Sequence, residues 1–184
     1  NAHQINTICW VVPALTMISG LGAFEKAVPS SLKTIAFGSE VFPARQLALW
    51  RKYVPNARYI NLYGPTEATG MSCYYVVDRE FKEDEVIPIG RPFPNTGILL
   101  LNEDGKEVTQ GEKGEICIRG TAVTMGYYRQ PDKTAGNFVQ NPLNKDYPEI
   151  IYKTGDLGYY NDRGELMFAS RKDYQIKHMG HRIE

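Results

Sequence analysis

Three stretches of this chain bring hydroxyl, carboxylate, aromatic and guanidinium groups close enough in sequence to act on one ligand. The first is Asn61-Leu62-Tyr63-Gly64-Pro65-Thr66-Glu67. A strand-like run ends there in a rigid Gly-Pro turn, which brings backbone near a ligand and presents a hydroxyl and a carboxylate. Ligands of open parallel sheets bind at such carboxyl ends of strands. Tyr63 can stack on a planar ring, Asn61 can hydrogen-bond its edge, Thr66 can donate to a phosphate oxygen and Glu67 can hold a hard cation through oxygen. The second stretch is Tyr152-Lys153-Thr154-Gly155-Asp156-Leu157, whose Asp can accept two hydrogen bonds from a vicinal diol. Bonds to such a charged partner contribute about 1.5 to 3 kcal/mol. The third runs from Ser170 to Glu184 and alternates charged with apolar residues. Taken singly, each has a plain structural reading: a capped turn with a structural Glu, an Asx-type turn feeding a hairpin at Asn161 to Gly164, and a solvated edge strand. His178 and His181 lack a nearby third ligand for zinc, and Met125, Tyr127 and Tyr128 read as barrel core.

The elements that must carry these groups fall into two parts. To about Tyr75, short apolar runs alternate with helical patterns. Thr7 to Val12 reads as a buried strand, and Leu15, Ile18, Leu21 and Phe24 recur at helical spacing after Pro13. Leu32 to Phe37 is a second strand, Pro43 suits the first turn of a helix carrying Leu47, Leu49 and Trp50, and Arg58 to Leu62 is a third strand. Strand and helix in alternation imply a parallel sheet packed by helices. From Val86 the pattern changes to strand-length runs at Gly97 to Leu101, Gly114 to Arg119 and Gly164 to Phe168, separated by turn signals, with one short helix at Pro131 to Phe138. That spacing suits a small β-barrel or sandwich. The expected class is α/β: part of a parallel α/β subdomain, a small β-barrel subdomain, and a terminal hinge strand. The expected boundaries are 3–81, 82–170 and 171–184, with Asn1-Ala2 as the remnant of a tag-cleavage scar.

Composition excludes several partners. The 184 residues carry 21 Lys+Arg against 21 Asp+Glu, so no summed positive field draws the chain to nucleic acid or an anionic membrane. The best apolar stretch, Ile8 to Leu15, contains Pro13 and falls far short of the roughly 20 residues of a membrane span. Cys9, Cys73 and Cys117 are odd in number and widely spaced, which is no disulfide framework and suits a reducing cytoplasm.

Read together and in order, the motifs resemble the adenylate-forming superfamily, in particular its amino-acid-activating branch: adenylation domains of non-ribosomal peptide synthetases and D-alanine:carrier-protein ligases. The matching stretches are Phe37-Gly38-Ser39-Glu40, Asn61 to Glu67, Gly90-Arg91-Pro92, Gly114 to Gly120, Gly126-Tyr127-Tyr128, Tyr152 to Leu157, and Arg171 through Glu184. The resemblance implies an ATP-dependent, AMP-forming ligase that activates an amino acid and passes it to the phosphopantetheine thiol of a carrier protein or carrier domain. Acyl-CoA synthetases of the same superfamily and a non-catalytic nucleotide-binding relative are the alternatives.

Position by position, the resemblance implies that Gly38 and Ser39 line the adenine pocket by backbone, Asn61 reads the adenine amino edge, Tyr63 stacks on the base, and Leu62 and Gly64 flank it. Thr66 would contact the α-phosphate, Glu67 would coordinate magnesium, Asp156 would grip the ribose hydroxyls, and Arg171 would reach ribose and phosphate. Phe168 stands where many members carry a Tyr near the nucleotide. Asp173 matches the hinge about which a small C-terminal domain rotates. Trp10, Ile35, Phe37, Leu62, Gly70 and Met71 would line the acyl pocket, an uncharged set suited to a small or apolar amino acid. Two departures stand out: Gly38-Ser39 where the D-alanine ligases carry Cys-Gly, and Ser170 before Arg171 where Gly is usual. The family's phosphate-binding loop would lie upstream and its catalytic Lys downstream, so the chain is expected to be a piece of a larger protein, inactive by itself.

Overall fold

The computed structural model describes residues 3–173, and the backbone alone of 176–178 and 181–183. The expected scar at residues 1–2 lies outside the described residues, as does much of the expected 171–184 segment. The chain divides into two compact units, one holding residues 3–62 and 75–88, the other residues 63–74 and 89–173.

The first unit is built on β1 (Thr7–Val11), β2 (Thr34–Gly38) and β3 (Arg58–Tyr63), with α1 (Val12–Gly20) and α2 (Ala44–Tyr53) in the connections. All three strands run parallel, in the register Trp10↔Phe37↔Asn61, as alternating strands and helices demand. Pro13 lies in the first turn of α1, where its missing N–H costs nothing. The apolar stripe of α2 places Leu47 and Trp50 inside the core with Leu15, Ile35, Phe37 and Tyr59. Trp50 satisfies its indole N–H by donating to the Leu15 carbonyl at 3.0 Å, which ties the two helices together. Phe24 meets Trp50 edge-on at 4.8 Å and stacks on Tyr53 at 4.7 Å.

The structure departs from the sequence expectation at β1 and at Leu21. The first strand is not buried: Trp10 is 46% and Val11 39% exposed, because β1 is an edge strand that pairs, among the described residues, with β2 alone. Leu21 lies past the end of α1 and is 76% exposed, so its helical spacing does not place it in the core.

In the second unit, β4 (Cys73–Val76) begins antiparallel to β5 (Arg91–Pro92). The main sheet contains β6 (Thr96–Leu101), β7 (Gly114–Gly120), β9 (Ile150–Tyr160) and β10 (Leu166–Arg171), in the order β10-β9-β7-β6. After α3 (Pro131–Asn137) the short β8 (Phe138–Gln140) pairs with β9. This sheet is open, with β6 and β10 at its edges. Period-2 alternation sends Leu100 and Ile116 into one apolar cluster, and Leu99, Leu101 and Cys117 into another on the opposite face. Covering both faces explains why β6 and β7 read as unbroken apolar runs. Farther along, and counted with the first unit, β11 (Ile176–His178) and β12 (His181–Ile183) form a two-stranded antiparallel ladder.

Met125 and Tyr128 are not barrel core. They are 100% and 84% exposed, because Gly126 at φ +123° and Arg129 at φ +54° turn the chain around them. Burial pushes the Cys73 and Cys117 thiols up to about 12, and all three cysteines are free.

Candidate functional site

The candidate residues divide between the units. In the first, Gly38 ends β2 against β3, where an added Cβ would stand 2.5 Å from the Leu62 carbonyl oxygen. Only glycine tolerates that approach. Ser39 follows at φ +76°, a left-handed conformation that costs a residue with a Cβ about 1 to 3 kcal/mol and that clusters at ligand sites. Asn61 is buried and donates its amide to the Pro88 carbonyl at 2.9 Å. Its side-chain oxygen remains an acceptor, the kind of group that reading an exocyclic amino group requires.

The six residues expected to line an acyl pocket are not gathered by the fold of the first unit. Ile35 and Phe37 are fully buried in its core, Phe37 edge-on to Phe42 at 4.7 Å. Trp10 pairs with Phe37 across the sheet, while Leu62 pairs with Gly38 and so stands on the opposite face. Gly70 and Met71 belong to the second unit.

In the second unit the Gly-Pro turn is tightly closed. A Cβ on Gly64 would sit 2.5 Å from both the Gly70 oxygen and the Ser72 nitrogen. Thr66–Ala68 form one 3-10 turn, left exposed at Thr66, and Thr69 ends it in the left-handed region at φ +59°. Glu67 is 7% exposed, and its Oε1 accepts the Tyr127 hydroxyl proton at 2.7 Å. Tyr127 is held in turn by its N–H donating to Thr134 Oγ1 at 2.9 Å and by Phe138 against its ring edge at 5.6 Å. The Tyr152 hydroxyl lies 3.4 Å from that of Tyr127. Burial first, then the Tyr127 contact and the Glu67 charge, hold the Tyr152 phenol protonated well above its ordinary range.

The diol motif sits within β9 rather than in a turn after it. Between the pairs Glu115↔Leu157 and Cys117↔Lys153, residues 154–156 of β9 stand opposite Ile116 alone, two more than regular pairing holds. This β-bulge re-aims a side chain, as bulges beside active sites do. Gly155 supplies the left-handed residue at φ +72°. Thr154 Oγ1 donates to the Ile116 carbonyl at 2.7 Å and accepts the Asp156 N–H at 3.0 Å. Asp156, 8% exposed, accepts the Tyr63 hydroxyl proton on Oδ2 and Arg171 Nη1 on Oδ1, both at 2.6 Å. Burial, with the Asp156 charge and the bond to it, pushes the Tyr63 phenol far above its usual value, so the proton stays with Tyr63. Arg171 also donates to the Thr154 carbonyl at 3.2 Å and grips Asp173 through Nε and Nη2 at 2.7 Å each. Phe168 is half-buried on β10 against the cluster around Leu166.

The second unit thus brings together Tyr63, Asp156, Arg171 and Asp173 in one chain of hydrogen bonds. A carboxylate has about four acceptor sites. Asp156 spends one on each oxygen, which leaves capacity for both hydroxyls of a diol. Glu67 fits a magnesium ligand in kind, being a carboxylate oxygen; magnesium takes one or two carboxylates and completes its shell with substrate phosphates and water. Among the described residues, no cluster of three or more His, Cys, Asp or Glu offers an all-protein metal cage.

Tyr127, Thr154 and Glu115 are the supporting residues that reading the sequence for chemistry passes over. Tyr127 lies 60 positions from Glu67, and no local pattern links them. Its signals are the Gly126-Tyr127-Tyr128 stretch itself and Gly126, where an added Cβ would come within 2.3 Å of Thr134.

Residues 1–128 match the family model described as AMP-binding enzyme. Delta-poly-L-ornithine synthetase of Acinetobacter baumannii is 35% identical over 179 residues, which is 97% of this chain and 12% of that protein. D-alanine--D-alanyl carrier protein ligase of Streptococcus pyogenes is 39% identical over 148 residues, 80% of this chain and 28% of that protein. A solved non-ribosomal peptide synthetase protein with adenylation and PCP domains, bound to a vinylsulfonamide inhibitor, superposes with a TM-score of 0.90 at 27% identity, over 99% of this chain and 31% of that one. The mixed α/β architecture is therefore that of part of an adenylation domain, and the chain spans less than a third of the length of each of these proteins. By its matched residues and its fold, this chain belongs to the AMP-binding enzyme family.

Proposed function

We propose that this chain is part of an ATP-dependent, AMP-forming ligase that activates an amino acid as its adenylate and transfers it to the phosphopantetheine thiol of a carrier protein. The observation that carries this reading is the buried Asp156 carboxylate, fixed by Tyr63 and Arg171 at 2.6 Å each with acceptor capacity to spare. A fixed acceptor pair of this kind suits the 2′ and 3′ hydroxyls of a ribose. The relatives named for carrier-protein ligation and the solved adenylation-PCP protein support the carrier as acceptor.

In this reading the substrate carboxylate attacks the α-phosphate of ATP and pyrophosphate leaves. Asn61 accepts from the adenine amino group, Gly38 and Ser39 line the ring by backbone, and Tyr63, with Leu62 and Gly64 beside it, bounds the base. Thr66, exposed on its turn, donates to an α-phosphate oxygen, and Phe168 packs near the nucleotide. Arg171 uses four N–H donors on Asp156, Thr154 and Asp173. Its fifth is left for a ribose or phosphate oxygen. Such catalysis is positioning and charge stabilisation at phosphorus. Glu67 would hold magnesium, which when bound neutralises charge developing on the phosphates.

Asp173 is the hinge residue of this reading, and 3–81, 82–170 and 171–184 are its rear α/β part, barrel-like part and hinge segment. A small or apolar amino acid is proposed from the family resemblance alone, which assigns the uncharged Trp10, Ile35, Phe37, Leu62, Gly70 and Met71 to the acyl pocket. Three free thiols suit the cytoplasm, and no helix among the described residues is long and apolar enough to cross a membrane. The chain alone is proposed to be inactive.

The test is amino-acid-dependent exchange of pyrophosphate into ATP by the full-length protein, followed by acyl transfer to holo carrier protein or to CoA. Exchange with an amino acid and loading of the carrier is the expected result. Exchange with acids lacking an amino group and transfer to CoA would favour an acyl-CoA synthetase, and ATP binding without exchange would leave a non-catalytic nucleotide binder.

A further inference from the structure

Among the described residues, the nucleotide reading leaves one buried carboxylate unused. Glu115 on β7 is 8% exposed. Its Oε1 accepts the Gly155 N–H at 3.1 Å, and its Oε2 lies 3.4 Å from Lys172 Nζ and 3.6 Å from Lys153 Nζ. Burying a carboxylate is costly unless it is both paired and hydrogen-bonded, and these partners meet both needs. Cross-strand pairing alone does not require a charge at this position, since the neighbouring β7 residues Ile116, Cys117 and Ile118 are apolar and fully buried.

What Glu115 holds is the bulge that presents Asp156. Gly155 is the left-handed residue of that bulge, and a Cβ on it would meet Arg171 Nη2 at 2.9 Å. The Gly155 carbonyl in turn accepts the Lys172 N–H at 2.8 Å. Glu115 therefore touches both sides of one joint: the amide just before Asp156, and the side chain between Arg171 and Asp173.

We propose that Glu115 is a positioning residue, which fixes the Gly155 turn so that Asp156 meets the ribose diol and anchors Lys172 between Arg171 and Asp173. It does so from outside the ligand, through the Gly155 N–H and the Lys172 ammonium. This inference rests on the diol role of Asp156 for its effect on nucleotide binding, though not for its effect on the turn itself.

The test uses the full-length protein and the variants Glu115→Ala, Glu115→Gln and Asp156→Ala, with ATP affinity by calorimetry and exchange of the Gly155 amide as readouts. Glu115→Ala should weaken ATP binding about tenfold, the loss of one hydrogen bond to a charged group, and should speed Gly155 exchange. Glu115→Gln keeps a carbonyl for the Gly155 N–H, so it should restore the slow exchange and most of the ATP affinity. The proposal is overturned by slow Gly155 exchange in Glu115→Ala, or by Gln proving as harmful as Ala in both readouts. If Asp156→Ala binds ATP normally while Glu115→Ala still speeds Gly155 exchange, the diol role fails and the turn-fixing role stands.

Discussion

At the scale of single residues, the site is a set of acids held in place by phenols. Tyr63 donates to Asp156 and Tyr127 to Glu67, each through a phenolic proton. A phenol in this role fixes a carboxylate oxygen without neutralising its charge. Tyr127→Phe removes the donor to Glu67 while keeping the ring against Phe138, at a cost of about 1 to 3 kcal/mol for the buried acceptor. The expected outcome is a higher magnesium concentration for half-maximal pyrophosphate exchange, together with a modest fall in the melting temperature of the full-length protein. An unaltered magnesium dependence would separate Tyr127 from the cation. The thiols make a second prediction. With Cys73 and Cys117 pushed up to about 12 by burial and Cys9 exposed, of these three thiols only Cys9 should be alkylated in the native protein at pH 8, because the thiolate is the nucleophile. Their folded values lie above the unfolded one, so the stability they contribute is complete below about pH 8.5 and is lost as pH rises toward 12. Peptide mapping after iodoacetamide treatment, native and denatured, reads the first effect directly.

At the scale of elements, β9 shows what sequence alone conveys and where it stops. Gly155 and Asp156 interrupt its apolar pattern, so the motif reads as a turn; the fold instead carries the strand from Ile150 to Tyr160 straight through it. The bulge is possible because its stabilising groups, Glu115 and the Ile116 carbonyl, come from β7 about 40 residues away, beyond the reach of any local window. The parallel β1, β2 and β3 were legible because short apolar runs alternate with helical spacing. The exposure of β1 was not, since position in a sheet is a property of pairing rather than of a strand's own residues. The grip of Asn61 on Pro88 and of Tyr63 on Asp156 likewise depends on partners 27 and 93 positions away, although the residue types were visible. Gly155→Ala tests the element itself. Its left-handed φ and the 2.9 Å approach to Arg171 Nη2 should cost more than about 1 kcal/mol. Nucleotide affinity should fall with it, measured by calorimetry on the full-length protein; normal ATP binding would mean that the bulge does not govern Asp156.

At the scale of the whole molecule, the chain contains two compact units and a hinge candidate at Asp173, whose carboxylate is held by Arg171 through two bonds of 2.7 Å. Fixing the backbone there with Asp173→Pro should impair thioester transfer more than adenylation in the full-length protein. Asp173→Ala, which loses the carboxylate but keeps the backbone free, separates the two causes. Equal loss in both half-reactions of the Pro variant would remove Asp173 as hinge. The account as a whole depends on Asp156 recognising a ribose. The most direct measurement is calorimetric binding of ATP and of 2′,3′-dideoxy-ATP to the wild-type full-length protein and to Asp156→Ala. The wild type should prefer ATP by about 1.5 to 3 kcal/mol, and Asp156→Ala should abolish the preference. An equal preference in both proteins would rule out the ribose role of Asp156.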